Sequence, residues 1–205
     1  MSPVAFTWSS VPIHVIDFEG SARTGVVEFG VATLLGGEVV SAATSLHASR
    51  VPVPAIDTQC HGLGAKELKG RPPFESEWER WVGLRRTGLL AAHNASVESG
   101  LLRGTWSRPS VVPGFVGEAA EVAEWGPWID TCRLARAWAP SLGDFRLGPW
   151  SRPFVWAPGS TSWRRTTARL AVGAITAPFT TPWPPPWSSG RFADRREGPP
   201  PPCHN

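Results

Sequence analysis

The chain has no apolar run long enough to span a bilayer, so no membrane partner is expected. Residues Met1 to Ser10 lack the basic start and long apolar core of a secretory signal, and a cytoplasmic location is the expectation. Cysteine is scarce. Cys60, Cys132 and Cys203 are odd in number and far apart, giving neither a metal-ligand spacing nor a disulfide framework, and they read as incidental thiols of a reducing compartment. Leucine all but disappears after residue 149, where Leu170 alone remains. The same stretch holds 11 of the 22 prolines and five of the 12 tryptophans. It also carries seven arginines against Asp194 and Glu197, so the net charge of +3 is a basic tail on a slightly acidic body.

What remains is a chain of 205 residues, enough for one domain with a real core. Residues 1–148 read as a globular domain and residues 149–205 as a Pro/Arg/Trp-rich tail. The apolar run Val11–Ile16 predicts a buried strand. Gly25–Leu35 and Glu38–Leu46 predict two more, joined through Gly36-Gly37 as a hairpin. Thr58–Lys69 reads as a loop with a short helix. Phe74, Trp78, Trp81 and Val82 or Leu84 recur at helical spacing across Phe74–Arg85, so these tryptophans are expected to pack in a core. Thr87–Ala92 predicts a fourth strand running into a helix over Ala95–Arg103. Ser107–Glu124 reads as an insertion or long loop. Trp128–Thr131 predicts a last strand, with a helix from there through Trp138. Strands alternating with helices after an initial hairpin imply an α/β fold with a mixed five-stranded sheet covered on both faces.

The chemistry is concentrated at Asp17 and Glu19. Two residues apart at the end of a strand, they project from one face. Crowded carboxylates repel unless a cation sits between them, and hard cations such as Mg²⁺ are held by a few carboxylates plus phosphate oxygens. Taken alone, this spacing suits a strand ending in surface residues better, because acids are mostly exposed. Three further pieces change that balance: His61-Gly62-Leu63, Ala92-His93-Asn94-Ala95-Ser96-Val97-Glu98 at a strand-to-helix junction, and Trp128-Ile129-Asp130-Thr131. Open α/β sheets keep their sites at such junctions.

In this order and spacing the motifs resemble the DEDDh 3′–5′ exonucleases, which include the epsilon proofreading subunit of bacterial replicative DNA polymerase, ribonuclease T and oligoribonuclease. The resemblance covers about residues 11–147 and implies a ribonuclease H-like fold. It also implies that Asp17, Glu19 and Glu98 hold two cations, Mg²⁺ or Mn²⁺, for hydrolysis at a nucleic-acid 3′ end. The products would be nucleoside 5′-monophosphates. Glu98 stands where the family has Asp, one methylene shorter. His93 and Asn94 are expected to position the helix and the substrate, and the backbone near Phe18 and Gly20 to lie against the terminal nucleotide. His61 is expected to be structural. The implied partner is a single-stranded 3′ end of DNA or RNA, with a DNA polymerase as a further partner.

The family's third motif, H-x-A-x-x-D-A, which supplies a general-base histidine and a fourth acid, is absent. Beyond Leu147 only His204 and Asp194 are available, in the wrong order. Two readings of the tail stay open. It is either a genuine disordered extension, with arginine and tryptophan available for charge and stacking contacts to single strands, or translation in a shifted frame. Read from each third codon base, Ile175 to Pro184 permits H-R-A-L-H-D-A-L-A, with the last alanine forced by Trp183-Pro184. In the same frame Pro149 to Phe154 permits helix-like L-V-E-A-L. On either reading the chain as written is expected to be an impaired 3′–5′ exonuclease. The alternative is a non-catalytic nucleic-acid-binding module with a basic tail.

Overall fold

The computed structural model describes residues 10–109, 111–113, 121–138, 140 and 145. Three antiparallel strands come first: β1 (Ile13–Ser21), β2 (Gly25–Leu35) and β3 (Glu38–Leu46). Two short helices, α1 (Ala55–His61) and α2 (Ala65–Leu68), lead to a 3₁₀ turn at Phe74–Glu77 that runs directly into α3 (Trp78–Thr87). Then come β4 (Leu89–Ala92), α4 (Ser96–Thr105), a two-residue hairpin of β5 (Val112–Pro113) and β6 (Glu121–Val122), β7 (Trp128–Asp130) and α5 (Thr131–Trp138).

The main sheet has the order β3-β2-β1-β4-β7. β1 pairs antiparallel with β2 and parallel with β4, and β4 pairs parallel with β7. The expected mixed five-stranded sheet is therefore present. Alternation along β1 sorts its side chains between two faces. Ile16 and Phe18 join Phe29 and Val31 of β2 in the larger core, closed by Phe74, Trp81 and Val82 of the 3₁₀ turn and α3 and by Leu101 and Leu102 of α4. Ile13 and Val15 form a second buried cluster with Leu34 and Ala91. Trp81 is fully buried, with its ring 5.0 Å from Phe18 and 5.4 Å from Phe29, both edge-on. Edge-to-face contacts of this kind add to the area buried, and the expectation that the α3 tryptophans serve packing holds.

The first strand is longer than its apolar run suggested. It does not stop at Asp17 but continues to Ser21, because β2 accompanies it to the turn, with Ser21 opposite Gly25. The register slips between Glu19 and Gly20. Gly20 takes φ +134°, and a side chain there would meet the Gly25 carbonyl oxygen at 2.1 Å. Only glycine combines that backbone with that approach. The Ser107–Glu124 stretch, expected to be an insertion or long loop, contains the two-residue strands β5 and β6. Cys132 is free. Among the described residues no helix is long and apolar enough to cross a membrane. The tail from residue 149, and with it the region where the third motif would stand, lies outside the described residues.

Candidate functional site

Parallel pairing of β1 with β4 ends at Val15 and Ala91. β4 then finishes at Ala92, and the chain turns into α4. On that side β1 has no strand neighbour beyond Val15, and the space is taken by the start of α4. The topology thus places Asp17 and Glu19 of β1 beside the first turn of α4, where Glu98 stands. The junction is built around Asn94, whose φ of +64° lies in the left-handed region that asparagine tolerates better than most residues. Its carbonyl accepts the Val97 N–H at 3.0 Å, starting the helix.

Three sequence-predicted acids share one electrostatic neighbourhood. Glu98 is 5% exposed, and its Oε2 has no hydrogen-bond partner among the described residues. Burial pushes its carboxyl up to about 8, reinforced by the charges of Asp17, Asp130 and Glu19, while a bond to its own main chain acts in the opposite sense. Glu19 is half-buried and is also pushed up to about 8, first by burial and then by the charges of Asp17 and Glu28. Glu28 sits directly across from Glu19 on β2. Burial and the neighbouring negative charges together keep Glu19 and Glu98 from ionising in their ordinary range. Among the described residues, however, no three histidine, cysteine or acidic side chains converge tightly enough to hold a metal ion by themselves. A Mg²⁺-type site does not need that many, since one or two carboxylates are completed by phosphate oxygens and water. The all-oxygen donor set and the unpartnered buried Oε2 of Glu98 fit a hard divalent cation.

The remaining predicted residues fall into different roles. The Phe18 side chain is core, 5.5 Å from the Phe74 ring, so only its backbone faces the acid side of the sheet. Gly20 sits at the register slip. His93 is engaged at both ring nitrogens: Nε2 donates to the Phe145 carbonyl at 2.7 Å, and Nδ1 lies 3.1 Å from the Thr131 hydroxyl. Burial holds its pKa below the ordinary value, so the ring is neutral, with the proton on Nε2. Asn94 is exposed and accepts the Ser96 hydroxyl at 3.1 Å. His61, expected to be structural, ends α1, is 7% exposed, and its Nδ1 accepts the Leu63 N–H at 3.1 Å. The glycine after it supplies the left-handed cap, φ +74°. Asp130 and Glu28 were given no role from the sequence. For Asp130 the signal was present, an Asp before Thr131 at a helix start. For Glu28 the position opposite Glu19 required the strand register.

No family model matches the chain. The PolC-type DNA polymerase III of Halalkalibacterium halodurans is 24% identical over 161 residues, 74% of this chain but 10% of that relative. The chain therefore spans about a tenth of the length of the relative it matches. Among solved structures, exonuclease X in complex with 5′-overhanging duplex DNA superposes with a TM-score of 0.57 at 19% identity, covering 80% of this chain and 88% of the other. The chain has an exonuclease fold. A product-bound exonuclease I has a TM-score of 0.58 at 12% identity, covering 80% of this chain and 42% of the other. A 3′-exonuclease recognising a histone mRNA stem-loop has a TM-score of 0.57 at 12% identity, covering 84% of this chain and 67% of the other. The mixed sheet with its helices is thus the ribonuclease H-like sheet of exonucleases, and the resemblance to the DEDDh exonucleases is carried by fold as well as by motif order.

Proposed function

We propose that this chain is a 3′–5′ exonuclease of the DEDDh kind, hydrolysing phosphodiester bonds at single-stranded 3′ ends to release nucleoside 5′-monophosphates. The observation that carries this reading is the acid cluster. Asp17 and Glu19 of β1 and Glu98 of α4, far later in the chain, share one electrostatic neighbourhood. Glu98 buries a carboxylate oxygen there with no partner among the described residues. Two carboxyls pushed up to about 8 by burial and by neighbouring negative charge are groups that a bound cation would favour in their ionised form. Asp17, Glu19 and Glu98 would hold Mg²⁺ or Mn²⁺, which when bound supplies positive charge for the scissile phosphate oxygens. The nucleic-acid complexes among the structural neighbours support a nucleic-acid substrate, and the match to part of a polymerase supports a polymerase partner.

His93 is not the general base in this reading, because its ring nitrogens are committed to Phe145 and Thr131. The base and the fourth acid belong to the third motif, which this chain lacks, so its activity is weak. The test uses the full chain with 5′-labelled single-stranded DNA and RNA. Weak trimming from the 3′ end in Mg²⁺ or Mn²⁺, none in EDTA, and a large gain when codons after 147 are joined to the shifted frame are the expected results. Internal cleavage, or trimming unchanged in Asp17→Asn and Glu98→Gln, would refute the reading. Equal activity in both frames would remove the role given to the third motif. The alternative reading is a non-catalytic nucleic-acid-binding module with a basic tail. Salt-dependent oligonucleotide binding without any cleavage, lost on removing 150–205, would establish that module instead.

A further inference from the structure

Two strand-to-helix junctions lie side by side at this end of the sheet. β4 ends at Ala92 and turns through His93 and Asn94 into α4; β7 ends at Asp130 and passes directly into α5. Ala92 and Asp130 are register partners. The second junction grips the first at several points. Asp130 Oδ1 accepts the N–H of Asn94 at 3.3 Å. The same oxygen accepts the N–H groups of Cys132 at 2.9 Å and Arg133 at 3.1 Å, capping α5. The next residue, Thr131, is 2% exposed, and its hydroxyl lies within bonding reach of both His93 Nδ1 (3.1 Å) and the Ala92 carbonyl (3.4 Å).

We infer that Asp130 is a positioning residue for Glu98. It acts through the Asn94 turn: one carboxylate oxygen ties the amide of that turn to the start of α5, and the turn's own carbonyl receives the Val97 N–H that opens α4. The start of α4 is thereby fixed to β7 rather than left to the helix alone. Glu98, one residue beyond Val97, is delivered to the acids on β1 at a set depth. A left-handed non-glycine residue persists only where its surroundings hold it, and Asp130 with Thr131 is that hold. The sequence before α4 supplies no such brace, since Ala95 at the helix start caps nothing with its side chain.

This inference rests on the reading of Glu98 as a cation ligand, and the test separates the two. Asp130→Ser keeps a cap for α5, but its hydroxyl is one bond short of Asn94. Asp130→Asn keeps an acceptor for all three amides without the charge. In the full chain, amide hydrogen exchange at Asn94, Val97 and Ser99 reads the clamp, and Mn²⁺ binding followed by electron paramagnetic resonance reads the site. Faster exchange at these amides and about tenfold weaker Mn²⁺ binding in Asp130→Ser, with Asp130→Asn close to the parent and α5 exchange unchanged in both, is the expected result. Parental exchange in Asp130→Ser would overturn the positioning role. Equal loss of Mn²⁺ in both variants at unchanged exchange would overturn it too, making the charge itself the contribution. If the parent binds no Mn²⁺ while Asp130→Ser still loosens α4, the clamp stands and the cation reading falls.

Discussion

Glu98→Gln removes a carboxyl that is 5% exposed and held at about 8 against an ordinary 4.5. The unfolded chain releases this proton near the ordinary value, while the folded chain keeps it to about 8. Between those limits the folded state binds more protons, so the contribution is full below the ordinary value and is lost as pH rises toward the folded value. At roughly 1.4 kcal/mol per pH unit, the parent forgoes about 3 kcal/mol near pH 7. Glu19 titrates in the same cluster, so neutralising Glu98 also eases Glu19 and the effect belongs to the pair. The assay is urea unfolding in EDTA at a series of pH values between about 5 and about 8. The variant should match the parent at the acid end and exceed it by about 3 kcal/mol near neutrality. Mn²⁺ should then narrow the gap, because it binds the folded parent through the carboxylate the variant lacks. Parallel stability curves for the two proteins across this range would show that Glu98 is not held protonated by its surroundings, and the description of the acid cluster would fail.

Other outcomes follow from the same geometry. His14 is buried between the hydroxyls of Thr33 and Thr87, with a pKa lowered to about 4, so its neutral form stabilises the fold above its ordinary range. As pH falls from about 6.5 to about 4 the parent should lose about 3 kcal/mol that His14→Gln does not lose, measurable from unfolding midpoints. Gly20→Ala should lower stability by about 2–3 kcal/mol, since the added methyl meets a backbone oxygen and the φ is strained; an unchanged urea midpoint would contradict this. Trp81→Ala should cost about 3–5 kcal/mol, and Trp81→Phe much less, because the indole N–H it removes is buried with no acceptor among the described residues. Equal losses in the two Trp81 variants would argue against that.

The strands and helices that were legible in the sequence are those whose side chains alternate or recur cleanly. Gly36-Gly37 marked the β2–β3 turn, and Trp78 and Trp81 marked the helix they anchor. The end of β1 was not legible, because Asp17 and Glu19 look like a strand's polar finish when they are in fact its continuation under β2. Pairing decides that, and pairing is non-local. In the site, Asp17, Glu19 and Glu98 could be named from motif order, but Glu28 could not, since its place opposite Glu19 follows from a register set across a bulge. His93 was expected to position the helix and the substrate. Its ring bonds Thr131 and Phe145, partners 38 and 52 residues away, which no local pattern shows.

The parallel pairing of β1 with β4 also bears on how the molecule assembles. The β1–β2–β3 meander closes through turns of a few residues, whereas Ile13 reaches its partner Leu89 only after a long excursion through α1, α2 and α3. Loop closure over such a distance is slow relative to hairpin formation. The topology thus predicts that Asp17 and Glu19 are in place early and that Glu98 comes in late, bringing the cost of holding its carboxyl protonated into the last stage. An interaction absent from the folding transition state acts on the unfolding rate. Relieving it with Glu98→Gln should accordingly slow unfolding in stopped-flow experiments near neutral pH while leaving the folding limb almost where it was, so that the completed acid cluster acts as a spring that hastens escape from the native state until a cation enters it.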